Sequence, residues 1–194
     1  YYNAVRVGQE LAASYGIELL APGHVVIGGA RFIGCTLWTD FSLHGTPEMS
    51  RYAARHGMND HRLIKIAKNG RKRNFTPEDA ARLHREEVGF ISNNLAVPFS
   101  GPTIVVTHHA PHPGSVQPKF RDNPLAPAFA TDLSALISRY QPELWIHGHD
   151  HGSHDYHFGQ TRILANQAGY PLRGGGRENP TFIPGLVVEV ATPV

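Results

Sequence analysis

Two short apolar runs, each ending in a burst of histidines and separated by a helix-length segment, most constrain this chain. The first is Thr103-Ile-Val-Val-Thr107, followed by His108-His109-Ala110-Pro111-His112. The second is Leu144-Trp-Ile-His147, followed by Gly148-His149-Asp150-His151, with His154 and His157 close behind. Together they hold eight of the thirteen histidines. Such runs read as buried strands, and Leu133, Leu136 and Ile137 between them fall at helical spacing within Thr131 to Tyr140. A strand–helix–strand unit makes its two strands parallel. Side chains leaving the carboxyl ends of such strands converge on one crevice. Neutral imidazole is the commonest protein ligand for metals, so the pattern predicts an α/β domain with a metal site where His108 and His149 come side by side.

The remaining sequence fills in around this unit. Tyr2 to Tyr15 reads as an amphipathic helix stopped by Gly16. His24 to Ile27 and Arg31 to Thr36 read as strands joined at Gly28-Gly29-Ala30, and Trp38 to Phe41 follows the second. Phe41 to Asn74 is long, polar and poorly periodic, with a short helix expected over Asn59 to Lys68; loops of that length are usually functional or mobile. Thr76-Pro77-Glu78-Asp79 is a helix start, with a capping hydroxyl, a proline at the first helical position and two acids for the dipole. That helix should reach about Leu95. Pro111 to Pro127 reads as a proline-rich loop. A hairpin is expected about Gly159-Gln160, a loop at Gly174-Gly175-Gly176, and a last strand from Leu186 to Val190. The hairpins call for a mixed sheet or two stacked sheets.

The 194 residues fit one domain, 1–194, with enough material for a core. A formal charge of +2 is too small to imply nucleic acid. The basic triplet Arg71-Lys72-Arg73 reads as a solvated loop. Cys35 is the only cysteine, so no intrachain disulfide can form. No apolar run approaches the roughly 20 residues of a membrane span, and no signal peptide is visible. A cytoplasmic protein is the default expectation.

Within the second cluster, His149 and His151 alternate and should point the same way if the backbone is extended. Gly148 would allow close backbone approach to a ligand. Other metal-site patterns fit less well: a His-x-His-x-Asp-His signature is one residue longer, and zinc-finger spacing needs absent cysteines. Asp155-Tyr156-His157 lies in the expected hairpin and reads as surface. Asp150 is either an orienter of the imidazole rings or an exposed acid.

Val106-Thr-His108-His109-Ala-Pro111 and Gly148-His149-Asp150-His151 resemble the last two metal-binding motifs of the calcineurin-like metallophosphoesterases. Ile33 to Phe41 is similar to a strand and its exit in the bacterial single-domain members. Thr76 to Ala80 is similar to their central helix start, and Asn166-Gln-Ala-Gly-Tyr-Pro171 to a loop of theirs. The resemblance implies a sandwich of two stacked mixed sheets flanked by helices. It implies hydrolysis of a phosphomonoester or phosphodiester at two divalent ions (Mn, Fe or Zn). By motif, His108 and His149 would bind one ion and His151 the other, with His109 a neighbour rather than a ligand; His109, and His112 after Pro111, are the candidate substrate contacts. Ala168 stands where an arginine is frequent, so no phosphate-gripping Arg is expected there. The family's Asp-x-His, Gly-Asp-x-x-Asp and Gly-Asn-His-Glu motifs are not found. The chain therefore resembles the C-terminal part of such an enzyme. The carboxylate ligands and the leaving-group histidine are expected from an N-terminal segment, and no catalytic residue is assigned here. The rival expectation is a non-catalytic metal-binding or regulatory module.

Overall fold

The computed structural model describes residues 1–68 and 71–190. Alternation along the strands builds the main sheet. Strands β1 (Gly23–Ile27), β2 (Ala30–Cys35), β5 (Thr103–Thr107), β6 (Leu144–Ile146), β7 (Ser153–Phe158) and β8 (Thr161–Asn166) form one sheet in the order β1-β2-β5-β6-β8-β7. The inner four strands are parallel, and the β1 and β7 edges pair antiparallel with their hairpin partners. Gly28 and Gly29 take φ of 59° and 81°, the left-handed region a tight hairpin turn requires. A second, small sheet pairs β3 (Lys65–Lys68) with β4 (Arg71–Asn74).

Successive strand residues point to opposite faces, and each face of the sheet has its own cluster. Ile33, Cys35, Val105, Trp145 and Ile163 face one side with Ile91 and Leu95 of α4 (Pro77–Leu95) and Ile137 of α5 (Ser134–Tyr140). Ile104, Leu144 and Leu164 face the other, where Val188 and Val190 pack against them. The expected last strand is therefore not a strand: Leu186 to Val190 has no strand assignment and covers a sheet face instead. Apolar alternation selects a buried surface, but it does not specify whether that surface joins a ladder.

The α4 start matches its sequence signal. Thr76 Oγ1 accepts from Asp79 N (3.4 Å) while Asp79 accepts from Thr76 N (2.9 Å), a complete capping box. Arg73 makes two further bonds to Asp79, of 2.5 and 2.8 Å. These hydrogen bonds from Arg73 lower the Asp79 carboxyl to a pKa of about 2.

The described residues of the Phe41–Asn74 segment carry regular elements, which the sequence did not announce. The segment contains α2 (Pro47–Gly57), α3 (Asp60–Leu63) and the β3–β4 hairpin. The buried residues of α2 are few and short, Ser50 and Ala54, so no broad apolar stripe marks that helix. Phe41, Ala54, Ile66 and Phe75 join Ala80 and Leu83 of α4 in a second cluster beside the sheet. The opening helix α1 (Tyr2–Ser14) buries none of its residues. No described helix is long and apolar enough to cross a membrane.

Candidate metal centre

The parallel register of β5 and β6, Val106 opposite Ile146, brings the two histidine bursts to the same end of the sheet. Gly148 N donates to His108 O (3.0 Å), stitching the strand exits together. On the other side, the N–H groups of His108 and His109 both donate to Thr36 O, at 3.2 and 3.1 Å. Beneath them Trp145 Nε1 donates to Thr107 Oγ1 (3.0 Å).

Three imidazoles meet there. The ring centroids of His108 and His149 lie 4.7 Å apart, those of His109 and His149 4.3 Å, and those of His108 and His109 5.1 Å. Phe129 stacks on His149 at 4.5 Å, and Trp38 backs His109 at 5.1 Å. Burial, and then the neighbouring imidazoles, depress the His149 pKa to about 3, while hydrogen bonding to the Ala128 carbonyl opposes this. Burial also pushes His109 well below the usual imidazole value, with His149 and His108 adding to the effect. His108 is lowered by the same desolvation, opposed by the Asp60 carboxylate. These rings are neutral at pH 7, the form that offers a lone pair to a metal.

His149 carries the clearest signature. Its buried Nε2 has no hydrogen-bond partner among the described residues. An orphaned buried imidazole nitrogen costs free energy unless something coordinates or bonds it. A buried ring nitrogen left free beside a second neutral imidazole has the polarity of a ligating histidine. The residues thus fit a divalent ion at His149 and His108. They do not by themselves fit a complete centre: among the described residues, no group of three or more His, Cys, Asp or Glu side chains is arranged to hold a metal.

His151 is placed differently from the alternating-strand expectation. The turn is not extended: His149 and His151 both have positive φ, 74° and 55°. His151 Nδ1 pairs with Glu178 Oε2 at 2.8 Å, and its ring meets Tyr170 edge-on. It remains close enough to depress both His108 and His149. Gly148 is not needed for space, since a Cβ there would meet His108 at an ordinary 3.6 Å.

Asp150 is neither an orienter of the cluster rings nor an exposed acid. Its side chain is 7% exposed, and Oδ2 accepts from His154 Nε2 at 2.6 Å. Its Oδ1 accepts from Gly152 N (2.9 Å) and Gln167 Nε2 (2.8 Å). Burial raises this carboxyl, but the bonds from His154 and Gly152 outweigh it and leave the pKa below the usual value. His109, at 3% exposure, lies behind the cluster rather than at its mouth. His112 engages β7, with Nδ1 3.2 Å from Tyr156 Oη and its ring 4.5 Å from Phe158. Asp155 is a surface acid paired with Arg162.

A cleft of about 440 Å³ opens beside His149 and His151. Asp60, Phe129 and Glu178 join it from distant parts of the chain. None was named from sequence. Asp60 lies in the segment without periodicity, and Glu178 follows a glycine-rich loop, so neither carries a local signal.

No protein-family model matches the chain, and no curated protein matches it in sequence. Among solved structures, phosphopantetheinyl hydrolase from Mycobacterium tuberculosis matches with a TM-score of 0.57 over 81% of this chain, at 16% identity. At that identity the likeness establishes a shared fold. The chain corresponds to 57% of that protein's chain.

Proposed function

We propose that this chain takes part in metal-dependent hydrolysis of a phosphoester at the His108–His149 cluster. The observation that carries this is the buried Nε2 of His149, without a hydrogen-bond partner among the described residues, held at a strand exit beside neutral His108. The fold shared with a phosphopantetheinyl hydrolase supports the reaction class, though fold alone does not choose chemistry.

In this reading His149 and His108 hold a divalent ion, Mn, Fe or Zn, and His151 turns from Glu178 to join them. Divalent ions at such a site polarise phosphoryl oxygens and make water nucleophilic at neutral pH. The chain's own groups do the rest. Phe129 stacks on His149 and shields one imidazole face from water, and Thr36 O bonds His109 Nδ1 at 3.2 Å. A two-ion form needs anionic bridging ligands against the repulsion between cations. It calls on anionic donors beyond the described histidines.

The test is His149→Ala with metal analysis and turnover of bis(4-nitrophenyl) phosphate. Loss of bound metal together with loss of hydrolysis is expected. Unchanged metal and rate would reject the proposal. Metal retained by the parent chain without any hydrolysis would favour a binding module instead.

A further inference from the structure

We infer that the cleft beside His149 selects phosphoesters of apolar, uncharged alcohols, aryl esters above all, over nucleotides. The inference rests on the hydrolytic reading for its reaction but on the cleft alone for its ligand class.

The cleft, about 440 Å³, has the size of a small-molecule site. Val116, Leu125, Ala126 and Phe129 line it, and neither arginine nor lysine is among its described lining residues. Recognition of extra phosphates relies on guanidinium or ammonium groups or on helix N-termini. The acids present are mostly committed. Asp150 is held by His154, Gln167 and Gly152 N, and Glu178 by His151 and Tyr170 N. Asp60 lines the same cleft, and beyond the ion at His149 no cationic side chain is among the described lining residues to offset it, which disfavours a further anionic group on the ligand.

The apolar side is built for a ring. Phe129 stacks on His149 with 28° between planes, so the aromatic wall runs up to the imidazole itself. At the cleft Phe120 is 42% exposed and Tyr170 70% exposed. Two large rings held in water gain from covering by an apolar ligand, and aromatic contacts add to that gain.

The experiment compares two diesters with the same 4-nitrophenol leaving group in manganese-containing buffer: 4-nitrophenyl phenyl phosphate and the 4-nitrophenyl ester of thymidine 5′-phosphate. In parallel, binding of 1-naphthyl phosphate and thymidine 5′-phosphate is measured by calorimetry. The aryl compounds should be preferred about tenfold or more. Phe120→Ala, on an exposed 3₁₀ turn, should shrink that preference about tenfold, acting through KM rather than kcat. Equal or reversed preference in turnover overturns the inference. If neither diester is turned over, binding decides. Tighter, Phe120-dependent binding of naphthyl phosphate upholds the cleft while the hydrolytic reading loses its support, and indiscriminate or absent binding overturns the cleft.

Discussion

Asp150 Oδ2 and His154 Nε2 lie 2.6 Å apart beneath the turn that presents His149 and His151. The contact links the start of β7 to a turn whose two histidines are both left-handed. Each such non-glycine residue costs roughly 1–2 kcal/mol, so the turn persists only because something over-determines it. Asp150 does so by accepting from three directions, with Gln117 Nε2 adding a bond to its carbonyl (2.9 Å).

Asp150→Ala should therefore destabilise the fold by about 2–3 kcal/mol, the cost of leaving its donors unpaired. It should also weaken metal binding about 10–100-fold, as loss of groups supporting a ligand does. Asp150→Asn, which keeps an acceptor for Gly152 N, should recover part of both. Denaturant unfolding and metal titration of the three proteins check this; identical titrations would show that the turn is held by other means.

His147 gives a pH dependence of defined sign. Its ring is 4% exposed, Nε2 lies 2.8 Å from Ser115 Oγ, and burial lowers its pKa from 6.5 to about 4. The unfolded state thus takes up the proton first as pH falls. Stability from this group is complete above about pH 6.5 and is lost progressively down to about pH 4, by roughly 3 kcal/mol. His109 and His149 act in the same direction. Wild type should lose more stability than His147→Gln between pH 7 and 4. Parallel stability curves would mean that His147 does not contribute this slope.

Two glycines should respond oppositely to alanine. A Cβ at Gly101 would stand 1.9 Å from Gly29 O, a backbone atom of the β1–β2 turn that cannot swing away. Gly101→Ala should cost about 2 kcal/mol or more. Gly89, inside α4, has nothing within 4 Å of its ideal Cβ. Gly89→Ala should stabilise by about 0.5–1 kcal/mol through helix propensity. Melting temperatures of both variants distinguish close backbone approach from simple chain entropy.

Much of the framework was legible because its signals are local. The Gly28-Gly29 turn, the Thr76 cap and the apolar runs of β5 and β6 each state their conformation within a few residues. The Phe41–Asn74 segment did not, because α2 is seated by small residues, Ser50 and Ala54, while its large apolar side chains Met49 and Tyr52 stand exposed among charged ones. Leu186 to Val190 was misleading for the complementary reason: its apolar side chains find a sheet face rather than a neighbouring strand.

The site divides in the same way. The sequence by itself determined that His108 and His149 follow consecutive parallel strands, since a strand–helix–strand connection leaves little other choice. Only the tertiary structure decided which nitrogen is left without a partner, that Asp150 is spent on His154, and that Glu178 reaches His151 from 27 residues away. Strand direction follows from local pattern and connectivity. Burial and hydrogen-bond partnership are set by groups distant in sequence, and no spacing rule encodes them.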